Sequence, residues 1–161
     1  MRDRFVFEDG VDLSAYSSTG AVSTNIWDLD NNIAAGSGPF GQLKGWLNIH
    51  ILTGAGAQGC TSGFYIELRN DDQVALNLAS GAGVNATEQT LLVVFLKQSQ
   101  LVAGARFSFG IETEDLMGKY VGCWLKAHTQ SVAAALSMDI SWEEHPIARL
   151  GLQRKNTSTG A

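Results

Sequence analysis

Apolar and polar residues alternate with a period of two along much of the chain, which is the pattern of a β-strand with one face toward a core. The pattern is clearest near the C-terminus, where every second residue from Leu136 to Trp142 is apolar and the residues between them are serine or aspartate. Weaker alternation marks residues 47–51, 64–68, 74–78 and 107–111. These segments predict antiparallel strands, each with one buried and one solvated face.

Two further runs, residues 91–96 and 120–125, are apolar at nearly every position and are predicted to be central strands. Residues 22–27 bring the number of predicted strands to about eight. Turn-forming residues separate these segments, and no stretch has an amphipathic helical period of useful length. Eight short strands leave few unpaired edges when they form two sheets that pack face to face. The chain is therefore predicted to be all-β, a single-domain antiparallel β-sandwich of jelly-roll type with little helix.

Composition supports this class and narrows the function. The 161 residues are 45% hydrophobic and only 17% charged, and they include 18 glycines, a balance typical of strands and turns. The net charge is -5 and no basic run occurs, which argues against nucleic acid as a partner. The longest uninterrupted apolar run has six residues, far fewer than a membrane helix needs, and the N-terminus has no signal-peptide core. We therefore expect no membrane association.

The two ends differ from the middle of the chain. Residues 1–20 combine charged residues, an apolar patch at Phe5 and Phe7, and a polar run, so they are predicted to be an N-terminal arm that a neighbour orders. The jelly-roll domain is predicted to span residues 21–152. Residues 153–161 have no apolar anchor and are predicted to be a mobile tail.

The sequence contains no recognisable motif for catalysis, cofactor binding or metal binding. Two G-x-G-x-x-G matches, beginning at Gly36 and Gly54, lack a following helix, which a dinucleotide site requires. The three histidines have no metal-ligand spacing, and the two cysteines, Cys60 and Cys123, are interpreted as buried free thiols. The segment at residues 28–32 lacks the glycine of an EF-hand and is interpreted as a polar turn, with another calcium geometry as the alternative.

Aromatic residues are the better candidates for binding. Trp46, Trp124 and Trp142 lie in apolar strand patterns and are predicted to be core, whereas Trp27 ends a strand and is either core or exposed to a partner. Phe5 and Phe7 on the predicted arm are interface candidates, because an apolar segment that cannot bury itself docks elsewhere. The candidate partner-interface residues are Phe5, Phe7, Tyr16 and Trp27.

Several segments, in order, resemble a known family. They are STNIWDL at residues 23–29, LKQS at 96–99, GARF at 104–107, KYVGCWL at 119–125 and the closing strand at 135–140. This order resembles the jelly-roll capsid cement, or decoration, proteins of tailed bacteriophages, in which an S-T-N-x-x-D-L segment follows a short N-terminal arm. The resemblance covers roughly residues 12–142. The chain departs from the family pattern in lacking a proline at residues 102–105 and in its longer, glycine-rich loop at residues 54–63.

The resemblance implies a non-enzymatic protein that is made in the host cytoplasm and located in the virion, on the outer surface of the expanded icosahedral capsid. It implies a homotrimer at three-fold and quasi-three-fold positions that binds the major capsid protein and clamps neighbouring capsomers. It implies no cofactor.

Two other functions remain open. One is a carbohydrate- or receptor-binding jelly-roll module of a virion, in which Trp27 or Tyr16 stacks on sugar rings beside Asp28 and Asn31. The other is a small cupin-like enzyme, which needs a metal held by histidines and a carboxylate inside the barrel. His50, His128 and Glu112 are the only set in the chain that fits that requirement.

Overall fold

In the part of the chain that the structure describes, nine β-strands and one turn of 3-10 helix form the regular structure. The computed structural model describes residues 4–12, 19–29, 42–54, 63–72, 76, 89–128 and 136–147. The strands are β1 (Arg4–Asp12), β2 (Ala21–Val22), β3 (Trp27–Asp28), β4 (Gln42–Thr53), β5 (Phe64–Asp71), β6 (Gln89–Leu96), β7 (Arg106–Asp115), β8 (Tyr120–Ala127) and β9 (Ser137–Glu143). The 3-10 turn, Gln98–Gln100, follows β6. No helix among these residues is long and apolar enough to cross a membrane.

The strands form two antiparallel sheets. The four-stranded sheet has the order β1-β9-β4-β7, and the five-stranded sheet has the order β2-β8-β5-β6, with β3 also paired to β8. Except for β2–β3 and β5–β6, consecutive strands lie in different sheets, and the first and last strands lie side by side, as in a jelly roll. The predicted antiparallel β-sandwich is confirmed.

The core lies between the sheets and follows the predicted alternation. In β4 the inward residues Leu47, Ile49 and Ile51 are fully buried, and in β9 Met138 and Ile140 are too. The other inward residues that are fully buried include Phe64, Ile66 and Leu68 of β5 and Val121, Cys123 and Leu125 of β8. Burying each large apolar side chain contributes roughly 1.5–3 kcal/mol, so these strands hold the sandwich together. The central position predicted for residues 120–125 is confirmed, because β8 lies between β5 and β2.

The N-terminal segment is a strand of the sandwich. Residues 4–12 form β1, which pairs with β9, and Phe7 is fully buried. Register shifts at Val6/Glu8 and Glu8/Val11, with Gly10 at a φ of 64°, let β1 bend along β9. The prediction of an arm over residues 1–20 is therefore wrong for residues 4–12. The predicted tail at 153–161 lies outside the described residues.

The glutamate of β1 explains why this strand escaped the sequence pattern. Glu8 is fully buried, and its carboxylate accepts hydrogen bonds from the backbone N–H of Thr24 at 2.7 Å and from the Thr24 hydroxyl at 2.9 Å. A charged residue that would end an alternating pattern is thus satisfied by a partner sixteen residues away.

Three other predicted strands differ from the structure. Residues 22–27 form parts of two short strands, β2 and β3, because Ser23 between them bonds through its hydroxyl to the backbone of Cys123 and Asn25. Leu76 lies outside any strand and has a φ of 46°, and the rest of the strand predicted at 74–78 is outside the described residues. The run 91–96 belongs to β6, which is the last strand of its sheet instead of a central one.

Candidate functional surfaces

Two of the aromatic residues predicted to face a partner, Phe5 and Trp27, lie where the edges of the two sheets meet. β1 places Phe5 opposite Trp142 of β9, and β3 places Trp27 opposite Val121 of β8. The Phe5 and Trp27 rings stack with centroids 5.4 Å apart and 10° between planes, and Trp27 contacts Trp142 at 5.4 Å. This aromatic cluster closes one side of the sandwich.

The structure bears on three of the four interface candidates. Phe7 is in the core, so the prediction that it faces a partner is wrong. Phe5 and Trp27 are half-buried and pack against the core. Because Trp27 stacks on Phe5, that ring face is closed to a sugar beside Asp28. Tyr16 lies outside the described residues, as does Asn31.

A charged network lies on the outer face of the five-stranded sheet. Glu67 and Arg69 are two residues apart and lie on the same face of β5. The Arg69 Nε donates to Glu67 Oε2 at 3.0 Å. Lys126 of β8 places its Nζ 3.1 Å from Glu67 Oε1. The Arg69 guanidinium also lies 4.7 Å from the ring centroid of Trp124, and its Nη1 donates to the Leu76 carbonyl at 2.9 Å. Each polar group of this network therefore has a partner within it.

The network also sets the charge of its carboxylate. Burial by itself raises the pKa of Glu67, but the hydrogen bonds and charges of Arg69 and Lys126 outweigh it, so the pKa lies below its ordinary value of 4.5. Glu67 therefore stays ionised at neutral pH while only 8% exposed. This arrangement is a structural feature of the sheet.

Next to this network, β6 presents an apolar surface. We name it the β6 surface and define it as Tyr65, Val93, Phe95 and His128. Val93 is 53% exposed and Phe95 is 39% exposed. The Phe95 ring lies 4.7 Å from Tyr65 and 5.7 Å, edge-on, from His128. Gly63 has a φ of 103°, and a side chain there would collide with Phe95, so this glycine lets the ring lie on the backbone.

The outer face of the four-stranded sheet is polar and built in rows. β4 lies between β7 and β9, so each outward residue of β4 has one neighbour on either side. The rows are Arg106–His50–Asp139, Ser108–Asn48–Ser141 and Gly110–Trp46–Glu143. We call these nine residues the polar face.

Asn48 lies in the middle row and binds the segment that follows β9, which crosses the sheet at this row. Its Oδ1 accepts hydrogen bonds from the Ser108 hydroxyl at 2.7 Å and the Ile147 N–H at 3.2 Å, and its Nδ2 donates to the His145 carbonyl at 2.8 Å. Asn48 is 2% exposed, so this amide has a structural role. The crossing leaves a recess on each side of the row.

The two recesses differ in their chemistry. One is a trough of about 570 Å³ along Trp46, bordered by Lys44, Glu112 and Glu144. The other is a cleft of about 270 Å³ bordered by residues that include His50, Arg106 and Asp139. His50 Nδ1 lies 3.8 Å from Asp139 Oδ2, which is too long for a hydrogen bond.

Two of the predicted core tryptophans lie on outer faces. Trp46 and Trp124 are half-buried, and only Trp142, at 8% exposure, is in the core. The signal was present in the sequence, because Leu47, Ile49 and Ile51 share one face of β4 and Trp46 therefore belongs to the other. The same parity predicts that Asn48 and His50 accompany Trp46.

The residues considered for metal binding are not brought together. His50 lies on the outer face of the four-stranded sheet, whereas His128 contacts Tyr65 and Phe95 beside the other sheet. Glu112 pairs with Lys44 at the far end of β7 from the His50 row. Among the described residues, no group of three or more His, Cys, Asp or Glu could hold a metal ion.

The one cysteine in the described part of the chain is buried and carries no disulfide. Cys123 is fully buried in β8, as predicted, and Cys60 lies outside the described residues. Burial raises the pKa of the Cys123 thiol well above its usual value, and the negative charge of Glu8 raises it further. A thiol held in this protonated state is a poor nucleophile.

No protein-family model and no curated protein matches the chain. The candidate binding regions are therefore the two that the fold itself defines, namely the β6 surface and the polar face on the opposite sheet.

Proposed function

We propose that the protein is a capsid decoration protein of a tailed bacteriophage, which binds the outer surface of the expanded icosahedral head. It acts as a homotrimer at three-fold and quasi-three-fold positions, contacts the major capsid protein and stabilises the shell by clamping neighbouring capsomers. The sequence resemblance suggests this role, and the exposed apolar β6 surface is the structural observation that supports it.

The β6 surface suits a contact between protomers. β6 pairs only with β5 among the described strands, and none of its residues, QTLLVVFL, is charged. Soluble proteins usually protect an edge strand with charge or proline, and an exposed apolar patch marks a place of association. Copies with a net charge of -5 repel one another, so an uncharged strand is the favourable place for them to meet.

A trimer explains how weak contacts stabilise a capsid. Once one protomer is bound to the shell, the contacts of the other two become intramolecular, and the overall affinity far exceeds that of a single contact. A protein that binds the assembled shell and not its separated subunits stabilises the shell by mass action.

The first experiment is sedimentation of the purified protein, alone and mixed with expanded, undecorated heads of its source phage. We expect a trimer-sized free species and saturable co-sedimentation with the heads. A monomer that does not co-sediment would overturn the proposal.

A pair of variants tests the β6 contact separately. Val93→Asp places a carboxylate in the proposed contact and is expected to give monomers and to weaken head binding by at least about tenfold, because avidity is lost. Val102→Asp is the matched control, since Val102 is 56% exposed but lies outside β6, and it is expected to remain trimeric. A trimeric Val93→Asp protein with an unchanged thermal melt would exclude β6 as the contact, even if wild-type protein binds heads.

A further inference from the structure

The indole ring of Trp46 lies beside a glycine and borders a recess. Trp46 lies opposite Gly110 of β7, and a Cβ atom at that glycine would lie 3.7–4.0 Å from three atoms of the six-membered ring. Gly110 has no side chain to cover the ring at this point. Trp46 and Gly110 both line the trough of about 570 Å³, so the indole ring forms part of its wall.

Charged groups of both signs stand around this ring. Lys44 Nζ lies 3.1 Å from Glu112 Oε1, with side chains 62% and 77% exposed. An ion pair this exposed contributes little stability, so its two groups can exchange their mutual contact for a ligand at small cost. Glu144 adds a second carboxylate to the border of the trough.

The polar cleft lies farther along the same strand, on the other side of the segment that crosses the sheet at Asn48. His50 follows Trp46 by four residues on the same side of β4, a rise of roughly 13 Å. There the flanking residues are Arg106 of β7 and Asp139 of β9, again one donor and one acceptor. The face therefore offers an aromatic ring at one end and paired donors and acceptors at both.

We propose that this face binds a neutral oligosaccharide, with one sugar ring stacked on Trp46 and its hydroxyl groups bonded to the charged side chains of the trough and cleft. A sugar ring has an apolar C–H face and a periphery of hydroxyls that both donate and accept hydrogen bonds, which matches a flat ring surrounded by both kinds of partner. The carboxylates of Glu112, Glu144 and Asp139 disfavour anionic glycans by repulsion.

This site is independent of the decoration role proposed above. It lies on the four-stranded sheet, whereas the β6 surface belongs to the five-stranded sheet. It also differs from the sugar site expected from the sequence, because Trp27 is packed against Phe5 and Trp46 is the tryptophan that borders a recess.

Trp124 provides a matched comparison. It too covers a glycine, since a side chain at Gly20 would collide with its indole ring. Its ring is also covered by the guanidinium of Arg69, at 4.7 Å from the centroid. The ring of Trp124 is therefore covered by other residues of the protein, and Trp124 serves as the control for Trp46.

The test uses ¹⁵N-labelled full-length protein titrated with four neutral oligosaccharides, namely cellohexaose, chitohexaose, mannohexaose and laminarihexaose. The four tryptophans give four indole N–H signals, which single Trp→Phe variants assign. At least one oligosaccharide is expected to shift the Trp46 signal in a saturable manner while the Trp142 signal, from the core, stays in place. This readout uses the unaltered protein and so does not depend on the folding of a variant.

Isothermal titration with the oligosaccharide that binds then locates the site. Trp46→Ala is expected to weaken binding by at least about tenfold, equivalent to about 1.4 kcal/mol, whereas Trp124→Ala changes it less than about twofold. Sialylated and sulfated oligosaccharides serve as anionic controls and are expected not to bind. Absence of a Trp46 shift with all four neutral probes, preference for the anionic ones, or equal loss in both variants would overturn the proposal.

Discussion

The outer faces of the two sheets both pair opposite charges, but they hold them in different ways. On the five-stranded sheet, Glu67 and Arg69 are only 8% and 7% exposed and are bound to each other. On the four-stranded sheet, the ion pair of Lys44 and Glu112 is mostly exposed. Similar residue types thus give a structural network on one face and an accessible set of donors and acceptors on the other.

The difference comes from what lies over each face. Leu76 covers the five-stranded sheet, since its carbonyl accepts from Arg69 and its side chain fills the space that a Cβ at Gly122 would occupy. The four-stranded sheet is crossed at Asn48, which leaves recesses on both sides. The alternation along a strand therefore decides which residues face outward, and the covering segment decides whether they stabilise the fold or remain available for binding.

The largest expected effect comes from breaking the buried network. Arg69→Ala removes the donors to Glu67 and to the Leu76 carbonyl and leaves a buried carboxylate with Lys126 as its remaining cation. Removing one partner of a buried ion pair is strongly destabilising, so the free energy of unfolding is expected to fall by about 3 kcal/mol. Urea denaturation followed by circular dichroism measures this change.

The matched control is the arginine on the other face. Arg106 is exposed, and Arg106→Ala is expected to change the free energy of unfolding by less than about 0.5 kcal/mol. Equal losses in the two variants would show that the faces do not differ as described.

The strands of the core could be predicted because one face of each is uniformly apolar. Leu47, Ile49 and Ile51 in β4 and Met138 and Ile140 in β9 make the inward side unmistakable, and all are fully buried. For such strands the side-chain period alone fixes the element and the face.

The sequence pattern does not predict a strand or its position in the sheet where these depend on contacts with residues far away in the sequence. The sequence predicts an arm over residues 1–20 because these residues combine charge, a short apolar patch and a polar run, and the pattern does not reveal the contact with Thr24 that satisfies the buried Glu8. The run 91–96 was read as central because apolar residues on both faces do not distinguish a central strand from an edge strand that presents an apolar surface. Trp46 and His50 are predictable as outward neighbours, but the recess between His50 and the chain at Ile147 depends on the Asn48 contacts.

Low pH should reduce the free energy of unfolding through protonation of Glu67 on the five-stranded sheet. Its pKa is lowered in the folded protein, so its contribution to stability is present above the unfolded pKa near 4.5 and is lost as pH falls through the lower folded value. Glu67→Gln is expected to cost about 2 kcal/mol at pH 7, the value of hydrogen bonds to a charged group. The difference between variant and wild type should shrink as pH falls from 4.5 toward the lower folded pKa, because Glu67 of the folded wild type is neutral only below that lower pKa.

Urea denaturation at a series of pH values from 3 to 7 measures that convergence. A Glu67→Gln protein whose deficit stays constant across the series would show that the carboxylate charge is not what stabilises the network.

The smallest expected effect is on the ion pair of the four-stranded face. Lys44→Ala removes a partner of Glu112 in a pair with side chains 62% and 77% exposed, where water already solvates both charges. The free energy of unfolding is expected to change by less than about 0.5 kcal/mol, and the change should diminish further in 0.5 M salt because of screening. Lys126→Ala, which removes a cation from the buried Glu67, is the matched variant and is expected to cost more at both salt concentrations. A larger loss for Lys44→Ala than for Lys126→Ala would mean that the exposed pair helps to hold the sheet, and that its groups are not available to a ligand at small cost.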